Sequence, residues 1–274
     1  MTAALKVKAP SPDQYRKNII RLLKENSHRR HIWEVFSDFC EMAALAISNS
    51  VDLRQYGPRE ARYLQIVERY EPLEIERFTH ILGELTMAME CGPDDVIGKV
   101  FGELDLGNSA RGQFFTPYHV CKLMAAQLIG DGSDLRTLIA ERGFIRVSEP
   151  AVGAGAMIIS MAESVQASGL NYQQCMHVTA QDVDSRAVHM AYLQFSLLHI
   201  PAVVILGNTL ALEEREHWYT PAHVIGFWNG KLSRGYSLGS KLDEMSATSD
   251  ELPTPLPGTG LVPNLRQGEQ ISLF

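Results

Sequence analysis

The 274-residue chain has only four cysteines, Cys40, Cys91, Cys121 and Cys175, and no two of them form a CxxC pair. This scatter argues against a zinc ribbon or a disulfide framework and fits a reducing cytoplasm. No apolar run approaches the roughly 20 residues needed to span a bilayer, so no membrane partner is expected. The opening segment, MTAALKVKAPSPDQ, lacks the apolar core of a secretory signal. Positive charge is short too. Lys and Arg number 25 against 32 Asp and Glu, for a net charge of -7. The chain as a whole therefore does not advertise a polyanionic partner.

What is present is ordinary in bulk and uneven in distribution. The apolar fraction of 45% and charged fraction of 21% are those of a soluble globular protein. The length allows one sizeable domain, or one domain with a helical appendage. Residues 1–30 gather Lys6, Lys8, Arg16, Lys17, Arg21, Lys24, Arg29 and Arg30 against only Asp13 and Glu25. Such an arm suits phosphate contacts. A solvated helix face has the same composition, and both readings stand at this point.

Residues 1–110 read as helices. Ser11-Pro12 offers an N-cap and a first-turn proline, opening a helix to about Glu25. Ile32, Val35, Phe36, Phe39, Met42 and Ala46 repeat at helical spacing, and Leu73, Phe78, Ile81, Leu82 and Leu85 do the same. Gly57-Pro58 opens a helix between them, and Asp94–Leu104 makes a short fifth. This region carries no chemistry of its own and reads as a helical cap. Over 111–232 the pattern alternates. Thr116-Pro117 opens a helix, Phe144–Ser148 is a strand, and a helix follows from Ala156. His177–Gln181 is a second strand, Ser185–His199 a helix, Ala202–Leu206 a third strand, and Val224–Trp228 a candidate fourth. Strands alternating with helices imply a parallel sheet, hence an α/β fold. From residue 233 to 274 the composition is that of a disordered tail. The sheet looks truncated at its C-terminal end.

The chemistry-bearing residues sit at strand ends. Glu149-Pro150-Ala151-Val152-Gly153-Ala154-Gly155 lies where the first strand meets its helix, and glycines there permit a tight turn and close approach of a ligand. A dinucleotide fingerprint would need a third glycine at position 158, which is Ile158. An acid before a single GxG turn instead suits S-adenosylmethionine, whose amino group is cationic and which has no pyrophosphate to cradle. Asp182 ends the second strand, where a carboxylate can accept both ribose hydroxyls. Asp184 reads as the N-cap of the next helix. Asn208 ends the third strand, where a polar side chain can read the adenine amine. His217 and His223 have no carboxylate or cysteine at metal-binding spacing, so no metal is expected.

The ordered set GQFFTP, EPAVGAGA, AQDVDSRAVHMAYLQFSLLHI and LGNTL, over roughly residues 94–210, resembles the N6-adenine DNA methyltransferase family. The closest flavour is the modification subunit of type I restriction-modification systems. The resemblance implies a Rossmann-like, S-adenosylmethionine-dependent methyltransferase sheet and DNA as partner. It implies that Phe115, Thr116 and Pro117 wrap the methionine end of the cofactor. Glu149, Ala151, Gly153 and Gly155 would hold the amino acid moiety, Asp182 the ribose and Asn208 the adenine. Glu149 replaces the usual Asp, and Asn208 stands where Asp is typical; both still offer an acceptor oxygen.

One part of the family pattern is missing. Adenine N6 is a poor nucleophile, and the family presents it with an Asn/Asp-Pro-Pro-aromatic tetrad that accepts its hydrogen bonds and stacks on the flipped base. No such tetrad follows Asn208. Phe227-Trp228-Asn229 falls near its expected place. Asn229 is either a degenerate catalytic remnant or a bystander beside two core aromatics. Two functional readings follow: an adenine methyltransferase, divergent or completed by a second subunit, and a pseudoenzyme that keeps the cofactor pocket as a regulatory protein. The last five residues add a separate signal. Gln270-Ile271-Ser272-Leu273-Phe274 resembles the peptide with which bacterial proteins dock on the DNA sliding clamp. Gln270 would make polar contacts, while Leu273 and Phe274 would fill an apolar pocket. The alternative is a tail that folds back on its own domain.

Overall fold

The computed structural model describes residues 11–106, 116–248 and 271–272. Five helices come first: α1 (Pro12–Asn26), α2 (Ile32–Asn49), α3 (Tyr56–Val67), α4 (Pro72–Met89) and α5 (Val96–Glu103). Their boundaries follow local chemistry. Ser11 caps α1 by accepting from the Gln14 N–H, and Glu71 with Glu74 forms a capping box on α4. α1 packs along α4, and α2 packs on α10 (Ser185–Leu197) of the α/β part. One continuous hydrophobic cluster runs from Ile19 and Leu23 through Phe39 and Ile97 to Val147, Val178 and Val204. The helical region thus shares its core with the sheet.

The sheet follows α6 (Tyr118–Ile129) and α7 (Ser133–Arg142). Strands β1 (Ile145–Glu149), β2 (Met176–Asp182) and β3 (Ala202–Asn208) are parallel, in the order β3-β2-β1. β1 alternates buried and half-buried residues. The connections are α8 (Ala156–Ala167) with the short α9 (Tyr172–Cys175), and α10. Glu149 pairs with Ala180 and Asp182 with Leu206, so the C-terminal ends of the three strands lie side by side. This is the end of an open α/β sheet where ligands bind. The expected α/β architecture with a helical region before it is therefore present.

Beyond β3 the structure departs from the sequence reading. A 3-10 turn (Thr209–Ala211) reverses the chain into β4 (Glu213–Tyr219), which runs antiparallel to β3 from Asn208↔Glu213 to Val203↔Tyr219. The expected fourth strand at Val224–Trp228 is helical instead, split between α11 (Pro221–Ile225) and α12 (Trp228–Arg234). Thr220 decides this locally. Its hydroxyl accepts from the Ala202 N–H and donates to the Ile200 carbonyl, while Pro221 starts the helix. Phe227 then adopts a left-handed backbone, with φ of 51°.

Besides β4, three helices carry no clear sequence signal. α7 is bracketed by glycines and fully buries only Leu135. α9 spans only Tyr172–Cys175. Helix α13 (Lys241–Thr248) lies within the stretch whose composition reads as tail, and it packs on α7. Ile271–Ser272 pairs in parallel with Val147 and Ser148 of β1 as a fifth, two-residue strand, β5. Among the described residues no helix is long and apolar enough to cross a membrane.

Candidate functional site

The turn after β1 is built around two glycines and a buried acid. Gly153 and Gly155 have φ of +54° and +101°, conformations that cost little only for glycine. A Cβ on Gly155 would also lie 2.6 Å from Cε1 of Phe195, so packing repeats the demand. Glu149 is 2% exposed. Its Oε1 accepts from the Ala151 N–H at 3.0 Å. Its Oε2 is buried with no hydrogen-bond partner among the described residues. Burial lifts the Glu149 carboxyl to a pKa of about 7, and the nearby Asp182 charge adds to the lift. A buried acid with one bare oxygen is the kind of group that a cationic ligand completes.

Asp182 ties the second strand to the same turn. One oxygen accepts from the Gly153 N–H at 2.9 Å and the other from the Asp184 N–H at 3.0 Å. Each carboxylate oxygen keeps a further lone pair. Burial raises the Asp182 pKa against the pull of these backbone bonds. Asp184 caps α10 through the Arg186 N–H, as its position suggests.

Asn208 is placed beside Asp182 with its polarity turned over. Its Oδ1 accepts from the Leu210 and Ala211 N–H groups and caps the 3-10 turn. The side chain is left to offer its amide N–H2, a donor suited to a ring nitrogen, where the sequence suggested an acceptor for an amine. Thr209 closes the floor between the strands by donating to the Pro150 carbonyl at 2.9 Å. Val183 and Leu210, which follow the two tip residues, are exposed apolar side chains, Leu210 at 97%. Neither these two nor Thr209 stands out in the sequence. Their signal is position alone, one or two residues after each strand-end polar group.

Thr116 and Pro117 are exposed at the start of α6, where the Pro117 carbonyl accepts from Val120 and Cys121. Phe115 lies outside the described residues, as do Gln270, Leu273 and Phe274. α6 is held on α8 by Tyr118 and Lys122, both bonded to Glu163. Lys17, Arg21 and Lys24 of α1, with His28 just beyond its end, line one exposed, shallow face. Lys6 and Lys8 fall outside the described residues. Among the described residues no cluster of three or more His, Cys, Asp or Glu is placed to hold a metal.

Asn229 is far from the site. Its Oδ1 accepts from His223 Nε2 at 3.0 Å, and His223 Nδ1 in turn faces His177 Nε2 at 2.9 Å. His177 is the second residue of β2 and sits beside Arg146 at the start of β1. The sheet end that holds Asn229 is therefore opposite the one holding Asp182. Five residues of strand separate them, about 17 Å. Trp228 packs on Phe144 and His177 at that same end. The idea of Asn229 as a catalytic remnant fails on this geometry, and the two aromatics divide between the core and an exposed turn, Trp228 buried and Phe227 exposed.

Residues 102–230 match the N-6 DNA methylase family. The matched segment starts at the end of α5, takes in all three strand-end residues, and stops within α12. A solved structure from Listeria monocytogenes, assigned to the class I S-adenosylmethionine-dependent methyltransferases, is 12% identical. The similarity covers 83% of this chain and 72% of that one, with a TM-score of 0.37. No curated protein matches the chain.

Proposed function

We propose that this chain is an S-adenosylmethionine-binding protein of the N6-adenine DNA methyltransferase type that does not hold a target adenine by itself. The family match supports the methyltransferase reading, and the turn supports the cofactor. Glu149 has a bare, buried oxygen for the cationic amino group. Asp182 retains lone pairs for the ribose hydroxyls, and the Asn208 amide, with its oxygen engaged in the turn, has its N–H2 to offer to adenine. When bound, the cofactor supplies an electrophilic methyl group on sulfur. The protein's part is to orient that group and exclude water.

The observation that carries the second half is the reversal after Asn208. A target-binding tetrad must stand at the C-terminal end of the sheet, beside the methyl group. Here β4 starts at that end and leads away from it, to Thr220, whose N–H donates to the Ala202 carbonyl at the opposite end. α11 and α12 stay there, and the Ser237 N–H is fixed to the Arg142 carbonyl. Methyl transfer then requires a base-holding loop from another subunit, or does not occur. The clamp-like tail and the basic face of α1 suit a role on DNA in either case. Isothermal titration with S-adenosylmethionine tests the cofactor half. Micromolar binding that Asp182→Ala weakens at least about tenfold supports it, and no binding by the folded wild type contradicts it.

A further inference from the structure

Gln194 belongs to none of the cofactor motifs, yet it is fully buried and bonded on three sides. Its Oε1 accepts from the Ile97 N–H at 3.0 Å. Its Nε2 donates to Asp95 Oδ1 at 2.8 Å and to the Ala154 carbonyl at 2.7 Å. Asp95 itself caps α5 by accepting from the Gly98 N–H at 2.9 Å. One side chain on α10 therefore clamps the start of α5 to the carbonyl that lies between the two glycines of the turn. The neighbouring Phe195 ring closes on Gly155. Only an uncharged amide satisfies this place. A carboxylate lacks the two donors, and an apolar side chain strands a buried N–H, a carbonyl and an acid.

We propose that Gln194 is a positioning residue that couples α5, and with it the helical region, to the shape of the cofactor turn. The inference rests on the reading of that turn as the cofactor site. Ala154 contributes its backbone carbonyl to the clamp, so the orientation of the peptide between the glycines is set from outside the turn. Binding at the turn and order at the start of α5 are then linked reciprocally.

The test uses the full chain carrying Gln194→Glu, which keeps shape and acceptor and removes both donors. Hydrogen exchange is measured without cofactor over residues 95–101 and 151–158, and affinity for S-adenosylmethionine by titration between pH 5.5 and 8. Exchange is expected to rise in both segments. Affinity is expected to fall about tenfold at pH 8, as loss of one or two buried hydrogen bonds implies. The deficit should shrink at pH 5.5, where the introduced carboxyl group takes up a proton and regains a donor. A merely structural defect would not recover with acid. If Gln194→Glu does not fold, Asp95→Ala is the second variant: it removes the oxygen that accepts from both Gly98 and Gln194 and is expected to raise exchange over 151–158 from a distance. Exchange changes confined to α10, or wild-type affinity at pH 8, overturn the proposal. If the wild type binds no cofactor, the functional reading fails, and the paired exchange response still decides the coupling.

Discussion

Glu149 meets two opposing demands. It is buried beneath the turn, and the proposed cofactor role requires it to be charged to pair with a cationic amino group. Burial raises its pKa to about 7, so near neutrality the free protein is an even mixture of acid and carboxylate. A cationic ligand selects the carboxylate. Affinity for the cofactor should therefore rise with pH through about 7, with proton release on binding below that pH. Titration in buffers of different ionisation enthalpy measures both effects, and Glu149→Gln should flatten them and bind at least about tenfold more weakly. The stability effect has the reverse sign. A carboxyl raised above its unfolded value favours the fold at low pH, and that advantage is lost as pH rises from about 4.5 to 7. Without cofactor, Glu149→Gln should melt above the wild type at pH 8 and level with it near pH 4. Gly155→Ala meets both a φ of +101° and the Phe195 ring. It should cost about 1–3 kcal/mol in denaturant unfolding, and a neutral result would contradict the packing described. Glu149 and the glycines were legible in the sequence because a tight turn restricts which residues can stand there. Gln194 was not, since its role exists only once residues 95, 97 and 154 come together.

At the scale of elements, the strands and helices up to Asn208, α7 and α9 apart, were readable because each has a period or a cap of its own. Ser11, Asp184 and the strand alternation at Ile145–Glu149 act locally. Past Asn208 the apolar runs are too short for a period to separate strand from helix. Val224–Trp228 became two helices because Thr220 and Pro221 impose a start, and because Trp228 finds Phe144 and His177 to pack on. The acidic strand Glu213–Tyr219 gave no apolar alternation at all, since only Trp218 is buried. These elements carry a prediction of their own. Asn229→Ala strands the His223 Nε2–H and should lower stability by about 1–2 kcal/mol. It should leave cofactor affinity unchanged, because the site is at the other end of the sheet. A loss of affinity without loss of stability would place Asn229 back in the site. Burial holds His177 and His223 below the ordinary imidazole value. Groups lowered in this way favour the fold above about pH 6.5, and that stability is lost as pH falls from there through their lower folded values.

For the whole molecule, the sheet divides the work between its two ends. One end gathers Glu149, Asp182 and Asn208 with the two glycines. The other gathers Asn229, the histidine pair and the helices that follow β4. A stand-alone adenine methyltransferase needs its base-holding loop at the first end, and among the described residues the chain leads away from it. The central claim is thus a cofactor site without a target site. It is tested most directly by incubating the purified full chain, saturated with S-adenosylmethionine, with adenine-rich duplex DNA and measuring N6-methyladenine by mass spectrometry. The account predicts no product above the level of an Asp182→Ala control. Product that accumulates with the wild type and disappears with Asp182→Ala would contradict it.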